Sequence, residues 1–202
     1  LADSLKGALK AIVIGHEARG IAEETFKYGA NEAVLIDHPD LKLFRTMPYS
    51  RIMNELIKKH TPRIVLFGAT VYGRDLAPRV ASNTKSGLTA DCTDLKISDV
   101  KYLGKEFKQL LLQIRPAFGG NIVATIITPD VPVQMATVRE GVMEMHPYEK
   151  PHPVKITEVP YKPIDIDGLL EVIEQHREES KVNLKAAPII IAGGYGLGSK
   201  EN

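Results

Sequence analysis

The sequence predicts an α/β fold: a parallel sheet with helices on both faces, extended by additional antiparallel strands. Three observations predict it. Over the first eighty or so residues, short β-branched runs closed by glycine alternate with segments of helical apolar spacing. From residue 91 to 138 that alternation stops and strand follows strand across tight turns. Between His146 and Pro163 five prolines, at 147, 151, 153, 160 and 163, specify an extended connector that no helix tolerates.

In chain order, residues 1–9 carry apolar side chains at 1, 2, 5, 8 and 9, the spacing of the end of a helix. Lys10–Gly15 is short, β-branched and closed by glycine, hence a buried strand. Residues 18–28 are a helix that Gly29 stops. Glu32–Asp37 is a strand centred on Ala33-Val34-Leu35-Ile36. Apolar positions 49, 52, 53, 56 and 57 make 49–60 a helix, and 63–67 is a strand ending at Gly68. A helix follows over 76–83, in which Pro78 is tolerable only in the first turn. Strands are expected at 91–100, 106–114, 121–127 and Gln134–Val138, with turns at Leu103-Gly104-Lys105 and Phe118-Gly119-Gly120-Asn121. Residues 154–159 form a further strand, 167–179 a helix, and 188–192 a fresh buried strand leading into a glycine run.

Composition bounds the function. The 202 residues are 44% hydrophobic and 25% charged, ordinary for a globular protein of one domain, or one domain plus a fragment. Lys plus Arg number 26 against 25 Asp plus Glu, so there is none of the charge excess of a general nucleic-acid binder. The run Arg177-Glu178-Glu179-Ser180-Lys181 mixes signs and reads as a solvated helix end. The single cysteine, Cys92, excludes a disulfide framework or a multi-cysteine metal site; it reads as a small buried apolar residue in a reducing compartment. The longest apolar stretches, such as 187–192, are too short to span a bilayer. No signal peptide is legible, and the first residues read as the middle of a structure.

Three segments carry candidate binding chemistry. Gly193-Gly194-Tyr195-Gly196-Leu197-Gly198-Ser199 follows a predicted strand, and such a loop brings backbone amides to a phosphate. Its spacing matches neither G-x-G-x-x-G nor a Walker loop, so a tight turn capped by Ser199 is the competing reading. Phe67-Gly68-Ala69-Thr70-Val71-Tyr72-Gly73-Arg74-Asp75 lies at a strand–helix junction, where open parallel sheets dock ligands. There Thr70 and Asp75 are candidate caps, and Arg74 is a partner for an anion or a plain surface residue. Arg115 ends an apolar strand before Pro116; it either offers its planar fork to a partner or ties down the following loop. The six histidines (16, 38, 60, 146, 152, 176) show no ligand spacing, and no acid–base pair or nucleophile motif stands out. That disfavours a hydrolase and favours a binding or assembly module.

Several ordered segments resemble one family. Val65-Leu-Phe-Gly-Ala-Thr70, Gly73-Arg-Asp-Leu-Ala-Pro-Arg-Val-Ala81, Gly87-Leu-Thr-Ala-Asp-Cys-Thr93, Arg115-Pro-Ala-Phe-Gly-Gly-Asn121 and Met135-Ala-Thr-Val-Arg139 are similar to the electron-transfer flavoprotein alpha subunit. Ala192-Gly-Gly-Tyr-Gly-Leu-Gly198 resembles the opening of that family's second domain, although Tyr195 stands where the family usually has Arg. The resemblance implies a Rossmann-like three-layer domain of the adenine-nucleotide hydrolase-like kind over 1–186, its first strand missing. Residues 187–202 would start the FAD-binding domain. It further implies a heterodimer with a beta subunit that holds a second FAD or AMP, and FAD in the continuation of this chain. The other implied partners are acyl-CoA or other dehydrogenases and a quinone oxidoreductase or ferredoxin. Arg115 would reach toward the beta-subunit cofactor, and 88–139 would form much of the interface. No catalytic or metal residue is implied. The form resembled is the bifurcating or nitrogen-fixation type, cytoplasmic in a bacterium or archaeon rather than mitochondrial. Two alternatives remain: a stand-alone adenine-nucleotide-binding module of universal-stress type, which the first half fits equally well, and a NAD-dependent oxidoreductase, against which the terminal glycine spacing speaks.

Overall fold

A computed structural model of the chain describes residues 1–117, 122–150, 152–176, 187 and 189–198. Two compact units divide after Val172. In the first, six parallel strands form two three-stranded sheets and three antiparallel strands form a third.

The first sheet has the order β1 (Lys10–Gly15), β2 (Glu32–Asp37), β9 (Ile156–Glu158), all parallel. Its central strand β2 is buried from Ala33 to Ile36, because helices cover both faces. On one face α2 (Arg19–Glu24), continued as a 3-10 turn to Tyr28, packs Ala22 and Phe26 against Val13 and Leu35. Gly29 ends that turn at φ +93°, as the sequence predicts. On the other face, α3 (Thr46–His60) sets Ile52 and Leu56 on Val34 and Ile36.

The second sheet has the order β3 (Ile64–Gly68), β8 (Gln134–Val138), β4 (Gly87–Cys92), also parallel. Met135 at its centre packs against α3 and α4 (Val71–Asn83). The third is an antiparallel meander of β5 (Asp94–Tyr102), β6 (Lys105–Ala117) and β7 (Ile122–Ile126). Leu103 and Gly104, both at positive φ, make the tight β5–β6 turn. The expected α/β fold, parallel strands with helices on both faces plus antiparallel strands, is therefore observed.

β1 and β3 are edge strands. Among the described residues neither pairs with the other, yet Ile12 and Ile14 of β1 and Val65 and Phe67 of β3 lie on one apolar cluster with α3 and α4.

Five expectations are corrected, the last of them in the second unit. The strand predicted over 91–100 is two strands in different sheets: Asp91 takes φ +63° at a register shift in β4, and β5 begins afresh at Asp94. Pro78 lies well inside α4, because Thr70 caps the helix earlier than the apolar periodicity suggested. The first segment is only a four-residue helix, α1 (Ala2–Leu5). No helix forms over 167–176; a 3-10 turn at Asp165–Gly168 takes its place, and the rest of the predicted helix lies outside the described residues. Leu169, Leu170 and Ile173 are exposed.

In the second unit Ile189, Ile190 and Ile191 form no strand among the described residues and are exposed. The glycine run holds a 3-10 turn, Tyr195–Leu197. Ser199 and the mixed-charge run 177–181 lie outside the described residues.

Candidate functional site

The carboxyl ends of β3, β8 and β4 converge on one edge, the position at which open parallel sheets present ligand groups. The Ala69 amide donates to the Val138 carbonyl (2.7 Å) and the Arg139 amide to that of Cys92 (2.9 Å), which ties the three strand ends together. Immediately after β3, the chain turns into α4. Thr70 Oγ1 accepts the Gly73 amide at 3.1 Å, as a helix cap should. Asp75, the other candidate cap, accepts instead from the Thr46 hydroxyl of α3. Gly73 permits the turn: a Cβ there would lie 1.8 Å from the Gly68 carbonyl oxygen.

Asp91 is the hub of this edge. Its side chain is 17% exposed, its backbone is left-handed, and its amide donates to the Thr137 hydroxyl at 2.7 Å. Arg74 reaches it from α4: Nη2 donates to Oδ1 at 2.9 Å, and Nε donates to the Ala69 carbonyl. Arg139 reaches it from the end of β8, donating through Nη2 (2.6 Å) and Nε (3.2 Å) to Oδ2. These Arg139 hydrogen bonds hold the Asp91 carboxyl below the usual carboxylate range against the opposing effect of burial, with further help from the charges of Arg139, Arg74 and Arg115. Arg139 is raised in turn by the same carboxylate.

Arg115 stands on β6 opposite Ala124 of β7 and is half-buried. It makes no hydrogen bond or ion pair among the described residues, but its charge acts on both Asp91 and Cys92. Pro116 follows where β6 has outrun β5, whose pairing stops at Ile114, so the missing N–H breaks no ladder on that side. The loop that Arg115 was a candidate to tie down, 118–121, lies outside the described residues. Cys92 is fully buried; burial pushes its thiol up and Arg115 only partly offsets this, so it is a packed core residue.

Arg74, flagged in the sequence, is thus brought to this edge, and the Thr93 amide, donating to the Ile114 carbonyl at 2.8 Å, sets the Arg115 end of β6 beside the end of β4. Asp91 and Arg139 were missed as site residues. A usable signal was present, since each is a charged residue at the carboxyl end of a parallel strand. The histidines do not converge: His38 caps the 3-10 turn at Pro39–Leu41, His60 meets Lys10, and His152 stacks on Tyr148. Among the described residues no three His, Cys, Asp or Glu side chains are placed to hold a metal ion, and no helix is long and apolar enough to cross a membrane.

Fold and edge together define an α/β domain of parallel sheets whose carboxyl-end edge gathers Arg74 and Arg139 on Asp91. The chain belongs to the electron transfer flavoprotein domain family, whose model matches residues 1–164. It is 38% identical over its whole length to the electron transfer flavoprotein subunit alpha of Thermoanaerobacterium thermosaccharolyticum, of which it covers 59%. It is 40% identical to protein FixB of Clostridium saccharobutylicum, covering all of this chain and 58% of that one. It is 36% identical to the acryloyl-CoA reductase electron transfer subunit beta of Anaerotignum propionicum, covering 98% and 59%. The chain therefore spans less than three-fifths of the length of these curated relatives.

Proposed function

We propose that this chain is the scaffold domain of an electron-transfer flavoprotein alpha subunit, working as a heterodimer with a beta subunit. The observation that carries the reading is similarity along the entire chain to proteins named for that role. In this reading 1–186 is the first domain, with a strand expected ahead of Leu1, and 187–202 opens the domain that holds FAD. Flavin supplies the one- and two-electron chemistry when bound. This chain's residues hold and orient: β5–β6–β7 and the carboxyl-end edge face the beta subunit, and Arg115 offers its unused donors to the nucleotide cofactor there, FAD or AMP. The edge suits the phosphate part of such a cofactor, because guanidiniums line it. An acyl-CoA or other dehydrogenase would supply electrons, in keeping with the acryloyl-CoA reductase relative, and a quinone oxidoreductase or ferredoxin would accept them. A bacterial cytoplasmic location is in keeping with the bacterial sources of the relatives. No observation favours the stand-alone universal-stress reading.

The test is Arg115→Ala in the reconstituted heterodimer. The flavin or nucleotide held by the beta subunit should bind more weakly and show a shifted absorbance and potential, while the chain keeps its fold. Unchanged binding, spectrum and potential would remove the role given to Arg115.

A further inference from the structure

Charge on the carboxyl-end edge does not cancel. Arg74, Arg115 and Arg139 bring three positive charges, and among the described residues Asp91 is the one carboxylate that bonds any of them. Each guanidinium has five N–H donors. Arg74 spends its Nε and one terminal nitrogen on Ala69 and Asp91, Arg139 spends its Nε and one terminal nitrogen on Asp91, and Arg115 spends none. Donors on all three therefore remain for a ligand. Asp91 takes a left-handed conformation uncommon for a residue with a side chain, inside a register shift after which β4 pairs again with β8 at Cys92. A strained, half-buried carboxylate that splays two arginines beside a third is more than helix capping requires, and strain of this kind collects at binding sites.

We infer that Arg74, Arg115 and Arg139 form a receptor for a phosphate-type anion, with Asp91 as the positioning residue that sets Arg74 and Arg139 apart. A residual charge of about two and several planar forks match a pyrophosphate group, which accepts bidentate donors on more than one face. A single peptide carboxylate would satisfy one fork and leave the others unpaired. The inference rests on the reading above only for the source of the anion, a nucleotide carried by the partner. The receptor itself belongs to this chain.

The probe is inorganic pyrophosphate, titrated into the 202-residue chain at low salt with no partner or flavin present. Arginine Nε–H resonances report binding. Those of Arg74, Arg115 and Arg139 should move together and saturate. That of Arg63, which precedes β3 at the opposite end of the strands and bonds Lys108 and Gln109, should stay still. Arg115→Lys and Arg139→Lys keep the charge and lose the fork, and each should weaken binding by about tenfold. Asp91→Asn removes a negative charge. If charge alone mattered it would tighten binding; with Asp91 as positioning residue, binding weakens. No saturable shift at millimolar pyrophosphate, equal movement of Arg63, or lysine variants that bind like the parent would overturn the receptor, and tighter binding by Asp91→Asn would overturn the role of Asp91. Failure here leaves the heterodimer reading standing, because that is tested on the partner's cofactor. Loss of the heterodimer reading would leave pyrophosphate binding to be explained by another anion source.

Discussion

Single residues set the limits of this domain at two places. At Gly73 the requirement is steric: α4 starts so close to the end of β3 that any Cβ would overlap the Gly68 carbonyl. Gly73→Ala must push the helix off the strand, and we expect a loss of roughly 2–4 kcal/mol by chemical denaturation, as overpacking against backbone does. Gly20 in α2 is the matched control, since nothing lies within 4 Å of a Cβ there; Gly20→Ala should gain about 0.5–1 kcal/mol through helix propensity. Equal effects at both sites would show that the close approach is not real. At Asp167 the requirement is electrostatic. Its side chain is 2% exposed and accepts from Arg51 (2.5 Å), the Tyr161 hydroxyl (3.0 Å) and the Ile164 amide (3.2 Å). Burial alone would raise its pKa, but Arg51 first, then Ile164 and Tyr161, outweigh it and hold the carboxyl below its usual value. Its stabilising share is therefore complete above the ordinary carboxylate range and is lost as pH falls below about 4. Asp167→Asn should cost roughly 3 kcal/mol at neutral pH, because the half-buried Arg51 loses its main partner, and the difference from the parent should shrink in acid. A constant difference down to acid pH would count against this account.

Elements were legible from the sequence in proportion to how far local patterning decides them. β1, β2 and β8 fall where the β-branched runs place them, and α3 follows its apolar stripe, because a strand or helix buried on a defined face writes that face into the chain. Where the deciding contact is distant, patterning fails. Nothing local says that Asp91 breaks one apparent strand into two sheets, or that Thr70 starts α4 far enough back to leave Pro78 in its interior. The site divides in the same way: Arg74 stood at a recognisable strand–helix junction and Arg115 toward the end of a predicted strand, but the meeting of Arg74 and Arg139 on Asp91 depends on sheet order, which no single segment encodes. β9 shows how a three-residue strand is held by such distant contacts. Glu32 of β2 accepts from Thr157 (2.7 Å) and Lys155 (3.3 Å) of the β9 segment and pairs with Lys10 of β1. Thr157 first, then Lys10 and Lys155, bring its pKa down to about 2. A lowered carboxyl stabilises fully above its ordinary value of 4.5, and this is lost as pH falls toward 2. Glu32→Gln should therefore speed amide exchange at Ala33 and Val159, whose N–H groups donate to Lys155 and Leu35, at neutral pH but not near pH 2. Equal exchange in both proteins at neutral pH would show that β9 is held by its backbone alone.

At the scale of the whole first unit, the feature that matters most is the pair of unmatched edges. A parallel sheet covered on both faces normally has its apolar strands in the middle, yet β1 has only Val13 buried and β3 has no residue buried. Leu66 of β3 is exposed. Both strands nevertheless lean on the same α3–α4 cluster, and among the described residues one edge of each pairs with no strand. Exposed apolar edges of this kind recruit another strand or aggregate. The chain enters β1 directly from α1, so an extended apolar segment joined ahead of Leu1 would make a strand–helix–strand unit, the ordinary route to a parallel neighbour. Fusing a six-residue alternating valine–isoleucine segment and a short polar linker to the amino terminus should pair with β1, β3 or both. Gaining about 2 kcal/mol corresponds to a rise on the order of 5 °C in Tm for a domain of this size. The fused amides should exchange slowly, and the amides of β1 and β3 that face them should become protected together. A segment of the same composition carrying proline at alternate positions cannot donate to a ladder and should give neither effect. If both fusions behave alike, the two edges are not a strand acceptor, and the half-buried state of β1 and β3 is their finished form.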